Sequence, residues 1–210
     1  MSGTSINKKL QKAYQKIGKK LGFTFKAYRT LDLITPVQNK NLIGELELSF
    51  SIDDNFKKPQ GEQFKMYNVF LDTTNYELGD IFVSDEAGKT FVLSSKEPIV
   101  TPQAIEAPHR VTITRVAYPT SGTFEPTNVE VAKDIPAAIF QTGAAGVSST
   151  VSQVKNQSGA NQYSIWIWLP QNNIKVDDVI TDQFGHSSRV TSVEYSAVGY
   201  KILTKDAEVK

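Results

Sequence analysis

Histidine is scarce and cysteine is absent, which limits the chemistry this chain can carry. His109, between Pro108 and Arg110, and His186, after Gly185 in a predicted hairpin, are the two imidazoles among 210 residues. A metal centre needs three or four convergent ligands, and no two His or Cys residues lie close enough in sequence to begin one. Nucleophilic catalysis needs a Ser or Thr beside a histidine and a carboxylate, and no serine sits in a Gly-x-Ser-x-Gly elbow. Glycoside hydrolysis needs two carboxylates across a cleft. The acidic pairs Asp53-Asp54, Asp85-Glu86 and Asp177-Asp178 instead fall in predicted turns, where short carboxylates accept backbone hydrogen bonds. Calcium-loop spacing, a P-loop and a dinucleotide fingerprint are all missing. Zero cysteine excludes disulfides, thiolate zinc sites, iron–sulfur clusters and cysteine nucleophiles. The expectation is a protein that is not an enzyme, with no catalytic residue, no metal site and no cofactor.

The remaining chemistry is charge. The first 31 residues hold eight basic side chains (Lys8, Lys9, Lys12, Lys16, Lys19, Lys20, Lys26, Arg29) and no acidic one, so the rest of the chain carries a net −7 within a total of +1. That asymmetry suggests an interaction segment. It lies on a predicted helix over residues 1–22. Ile6, Leu10, Ala13, Tyr14, Ile17 and Leu21 recur at intervals of three and four and share an arc of about 100°. Six lysines fall opposite. Ser5 is placed to cap the start, Gly22 to end the helix at positive φ, and Gly18 weakens it. Four roles suit such a helix: docking on its own domain with the lysines in water, contact with an acidic neighbour, nucleic-acid binding, or lying on a membrane. The narrow stripe without Trp or Phe argues against a membrane, and the acidic remainder argues against nucleic acid. Lys8, Lys9, Lys12, Lys16, Lys19 and Lys20 with Ile6, Leu10 and Ile17 are therefore the candidate partner-binding residues.

Beyond Gly22 the period changes to two. Phe23–Tyr28 and Gly44–Ile52 alternate as half-buried strands do, and further strands are predicted at Lys65–Leu71, Ile81–Ser84, Thr90–Ser95 and Arg110–Val116. Pro119–Pro126 reads as a linker by composition. The expected division is a first β-domain over 23–118, a linker over 119–128 and a second β-domain over 129–210. In the second, strands are predicted at Val129–Val131, Ala137–Gln141 and Tyr163–Leu169. Between them, residues 143–162 form a polar stretch rich in Gly, Ala, Ser, Asn and Gln, read as an arm that orders against a partner. The fold class is mainly β: an N-terminal amphipathic helix followed by two small antiparallel barrels or sandwiches. No run approaches the ~18 apolar residues of a membrane span, and no apolar segment of a signal peptide follows the first lysines.

The two halves echo each other. Tyr67–Leu71, Leu78-Gly79-Asp80-Ile81, Asp85-Glu86-Ala87-Gly88 and Phe91–Glu97 are answered by Tyr163–Leu169, Val176-Asp177-Asp178-Val179, Asp182-Gln183-Phe184-Gly185 and Arg189–Glu194. The pattern reads as strand, tight turn with a short acidic residue, strand, glycine hairpin, strand. It reflects a structural repeat or the ordinary punctuation of a β-meander. Trp166 and Trp168, two apart on one predicted strand, are a candidate platform for stacking on sugar rings, with packing in a core or interface as the plainer use.

Three runs resemble small structural proteins of tailed bacteriophages with contractile tails: Ser5-Ile6-Asn7-Lys8-Lys9 through Leu21-Gly22 to Tyr28-Arg29; Gly44 to Asp54, closing on Ser51-Ile52-Asp53-Asp54; and Leu78-Gly79-Asp80-Ile81 through Phe91-Val92 to Lys96-Glu97-Pro98. Together they span residues 5–116, about half the chain. The resemblance implies a virion structural protein made in the host cytoplasm. It would be an adaptor or ring component of a tail or baseplate, or alternatively a head–tail connector or collar protein. Its partners would be tail tube, sheath or baseplate subunits and further copies of itself in a homo-oligomeric ring, with no nucleic acid and no membrane. A carbohydrate-binding module on a virion or cell surface is the alternative the tryptophans suggest.

Overall fold

The structure, a computed structural model, describes residues 3–30, 34–52, 66–118, 126–142, 162–167, 174–196 and 199–206. It opens on α1 (Gly3–Leu21). The helix begins ahead of Ser5, which therefore lies inside the first turn rather than capping it. Gly22 ends it, its N–H donating to the Gly18 carbonyl at 2.8 Å, but outside the left-handed region. Both glycines have a different use. A Cβ on Gly18 would lie 2.6 Å from the Glu47 carbonyl oxygen, and one on Gly22 would run into the carbonyl of Leu48. Their bare backbone lets the helix lie directly on a strand, which offsets the loss of helix propensity at Gly18.

That strand belongs to a closed six-stranded barrel formed by β1 (Phe23–Tyr28), β2 (Leu42–Ile52), β3 (Met66–Phe70), β4 (Ile81–Ser84), β5 (Lys89–Ser95) and β6 (Gln103–Glu106). The order is β1-β2-β3-β6-β5-β4, with β4 closing on β1 and every pairing antiparallel. Closure removes the sheet edges that alternation alone would leave open. The interior is aromatic: Phe25, Phe50, Tyr67 and Phe91 converge, and the Phe50 and Phe91 rings stack 3.9 Å apart.

A second closed barrel follows from β7 (His109–Ala117), β8 (Thr127–Thr142), β9 (Gln162–Ile167), β10 (Val179–Asp182), β11 (Ser187–Ser196) and β12 (Gly199–Asp206). Its order, β7-β8-β9-β12-β11-β10, is the order of the first, strand for strand. Its interior is aliphatic, with Val111, Ile113, Ile135, Ile165, Ile180, Val190 and Ile202 around Tyr200.

Two expectations change. The division of the chain falls between Pro108 and His109, not at the expected linker over 119–128, apart from a short stretch of the β1–β2 connection that groups with the second unit. The reason is pairing: β7 bonds to β8 and β10, with Ile113 opposite Ala132 and Ile180, so it belongs to the second barrel. Pro119–Pro126 marks only the connection between β7 and β8; residues 119–125 lie outside the described residues. The stretches Val129–Val131 and Ala137–Gln141 are one strand, β8. A bulge between them, with Asp134 at φ 54°, breaks the alternation that identifies a strand in sequence. Short β6, directly after Pro102, was not foreseen. Of the polar stretch 143–162, all but Gln162 lies outside the described residues.

Candidate functional site

The most concentrated polar chemistry occurs twice. At the end of the first strand of each barrel an arginine reaches an aspartate that opens the fourth. Arg29 donates from Nε to Asp80 Oδ1 at 2.9 Å and from Nη2 to Oδ2 at 2.8 Å. Arg115 does the same to Asp178 at 2.7 and 2.8 Å. Each aspartate also accepts a backbone N–H from three residues earlier, Glu77 at 2.7 Å and Lys175 at 2.8 Å. The residue before it is left-handed in both, Gly79 at φ 88° and Asp177 at φ 74°. That turn is stitched to the fifth strand by the same bonds: Gly79 N–H to the Leu93 carbonyl and Leu93 N–H to the Asp80 carbonyl; Asp177 N–H to Val190 and Val190 N–H to Asp178. One residue beyond Leu93 and Val190 each fifth strand bulges, and the hydroxyls of Ser94 and Thr191 donate to the carbonyls of Gln103 and Leu203 at 3.0 and 2.9 Å.

Asp80 and Asp178 are 2% and 1% exposed. The hydrogen bonds each arginine donates to its carboxylate raise it above the ordinary guanidinium range, against the opposing effect of burial. With both carboxylate oxygens engaged by the guanidinium and one of them also by the turn N–H, the pair is held in one fixed geometry. It is a clamp that fixes the strand-four turn to strand one. Asp80 and Asp178 were visible in sequence as the repeat's turn acids. The arginines were missed as partners because they lie 51 and 63 residues away.

The predicted partner-binding helix is held on its own barrel. Gln11 brackets Thr73, donating to its hydroxyl at 3.2 Å and accepting its backbone N–H at 2.9 Å. The Tyr14 hydroxyl meets the Thr101 hydroxyl at 3.1 Å, and its ring packs on Phe70. Leu10 and Ile17 are half-buried, while Ile6 remains 38% exposed. The middle of the apolar stripe is thus used in cis, while Ile6 and Leu21 at its ends and Lys8, Lys9, Lys12, Lys16, Lys19 and Lys20 on the opposite side are exposed.

The other candidates are not brought together. His186 lies on the exposed β10–β11 hairpin with Nδ1 3.1 Å from Asp182. Burial works against ionisation of Asp182, but the N–H groups of His186 and Phe184 and the His186 ring outweigh it and hold the carboxyl below its usual range. His109 is half-buried, and burial lowers its pKa against the charge of Asp182. Asp85 pairs with Lys26 at 3.4 Å, Asp177 faces Arg189 at 3.9 Å, and Asp53-Asp54 lie outside the described residues. In backbone register Trp166 pairs with Ala138 as Phe70 pairs with Ser49 in the first barrel; Trp168 lies outside the described residues. One polar group was not foreseen. Tyr67 donates to Glu106 at 2.7 Å, with Lys89 3.1 Å from that carboxylate. Burial and this bond push the phenol up to about 12, so it serves as a donor rather than a base at neutral pH. Among the described residues no cluster of His, Cys, Asp and Glu could hold a metal ion, and no helix is long and apolar enough to cross a membrane. Comparison with known proteins is equally spare: no family model, no curated protein and no solved structure matches the chain.

Proposed function

We propose that this protein is a non-enzymatic structural component of a virion, an adaptor or ring subunit at a phage tail, baseplate or head–tail junction, working by protein–protein contact. One observation carries the contact role: the basic helix is pinned to its own barrel through Gln11, Tyr14 and Gly18, leaving a lysine face on a rigid support. A charged face that is already ordered binds without the entropy cost of ordering a loose segment. The virion assignment rests on the resemblance of residues 5–116 to contractile-tail structural proteins. The contact differs from the one the helix periodicity suggests, since Leu10 and Ile17 already pack in cis, while Ile6 and the lysines stay exposed.

The test uses the full chain, because removing residues 1–22 would uncover β2 and confuse unfolding with lost contact. Lys8, Lys12, Lys16 and Lys20 are changed to Glu together, and the melting temperature serves as the folding control. The wild-type protein should co-sediment with purified particles, and the charge-reversed protein, equally well folded, should stay in the soluble fraction. Wild-type protein missing from purified particles would overturn the assignment.

A further inference from the structure

The second barrel carries a projection its twin lacks. Tyr28 of β1 and Thr114 of β7 hold matching places, each at the end of its strand's pairing with the fourth strand. In the first barrel Tyr28 lies opposite Leu42, the Arg29 N–H bonds the Asn41 carbonyl, and Asn39–Asn41 turns away as a single 3-10 turn. In the second, Thr114 lies opposite Glu130, and the ladder runs on through Arg115 with Val129 and Val116 with Asn128 to Ala117 with Thr127. β10 follows β7 only as far as Thr114, and β9 meets β8 only from Ala137. The end of β7 and the start of β8 therefore leave the barrel as a two-stranded ribbon. Residues 126–130 are all exposed, and Val116, Val129 and Tyr118 stand 43%, 49% and 74% in water.

A two-stranded ribbon is marginal in water by itself, and its outer edge carries backbone N–H and C=O groups that pair readily with another strand. Along β8 that edge is the stretch Thr127-Asn128-Val129-Glu130-Val131-Ala132. It holds neither the lysine nor the proline that commonly blunts an edge, and its one charge, Glu130, lies 3.8 Å from Lys133. Among the described residues, no backbone group outside β7 bonds to residues 127–132. The free edge stops at Lys133, whose N–H is already given to the Ile34 carbonyl. The ladder is regular from Thr127 to Glu130 and bulges at Val131.

We propose that a second copy of the chain covers this edge, the two β8 strands pairing antiparallel about a two-fold axis so that the two ribbons form one four-stranded sheet. Successive pairs in an antiparallel ladder alternate between two kinds, so two-fold symmetry requires one residue to lie opposite its own copy. Glu130 in that place would set two carboxylates face to face. Val131 lies in the bulge, beside the occupied Lys133. Asn128 in that place shortens the ladder, which Pro126 ends because it has no N–H to give. Val129 on the axis meets none of these obstacles: valine faces valine, and the Asn128 amide lies opposite the Glu130 carboxylate on both sides. That self-complementarity selects a second copy over a foreign strand. The contact is isologous and adds strand to strand. It belongs to the second barrel and does not rest on the lysine contact.

The chain has no cysteine, so single substitutions report the register directly. Val129→Cys sets two thiols on Cα atoms about 5 Å apart across the axis, inside the range a disulfide spans. Mild oxidation of the purified full chain should then give a covalent dimer. Asn128→Cys and Glu130→Cys, each about 8 Å from its own copy, should give none alone and should cross-link when mixed. In sedimentation velocity over a range of concentration the wild type should dimerise, without loosening at high ionic strength as a lysine contact would. Val129→Lys should weaken the dimer about tenfold at an unchanged melting temperature. A wild type monomeric at every concentration, cross-linking no faster at 129 than at 128 or 130, a dimer indifferent to Val129→Lys, or one that salt dissociates would each overturn the interface. Co-sedimentation with particles reports on the virion reading separately, so the two can fail independently.

Discussion

The two barrels share a frame and almost nothing of their filling. Strand order, the arginine–aspartate clamp, the left-handed residue before the aspartate and the hydroxyl-bonded bulge recur in both. Inside, Phe91 of the first sits at the place of Ser188, Phe82 at that of Ile180, and Ala104 at that of Thr204, and all of these are buried. The barrel is specified by local backbone chemistry at a few turns and bulges, and the core need only fill the space at native density. What the first barrel has alone is outside: α1, its lysines and the long β5–β6 connection. The common parts build the fold, and the unshared parts are where recognition is sought.

The comparison breaks most readily at the clamp. Asp80→Ala and Asp178→Ala each take the bidentate carboxylate from a half-buried guanidinium and leave the turn N–H it accepted without that acceptor, and each should cost about 3 kcal/mol. Urea denaturation of the two variants should show similar losses; a clamp that matters in one barrel only would end the equivalence. Next is the helix seat. Gly18→Ala forces a methyl against the Glu47 carbonyl and should destabilise by about 2 kcal/mol. Hydrogen exchange should rise along β2 while β8 is unaffected. Smaller again, Ser94→Ala and Thr191→Val remove the matched bulge hydrogen bonds and should cost about 1 kcal/mol each, read as paired shifts in melting temperature.

The smallest effect separates the barrels by pH. His109, held below its ordinary pKa by burial, binds its proton more weakly folded than unfolded. Stability present above the unfolded histidine pKa is therefore lost as pH falls below it toward the folded value. His109→Gln should flatten the decline of melting temperature between neutral and mildly acidic pH. An unchanged slope would place the sensitivity elsewhere.

Much of this was legible in one dimension. The Phe23–Tyr28 alternation is β1 to the residue, the lysine-opposed stripe is α1, and Asp80 with Gly88 and Asp178 with Gly185 mark the repeat, because strand alternation, helix periodicity and turn chemistry are local. Arg29 and Arg115 read only as charges, and β7 read as the end of the first domain, because both depend on partners tens of residues away. Gly18 looked like a flaw in the helix until β2 lay beneath it.

By itself, then, the sequence determined the class of fold, the duplicated turns and the polarity of charge, all written in spacings of two to four residues or in simple counts. Closure into barrels, the boundary at Pro108, docking of α1 in cis and the projection of the β7–β8 ribbon were decided by tertiary structure. Each depends on which distant backbone groups hydrogen-bond and pack together, and no local pattern records that choice.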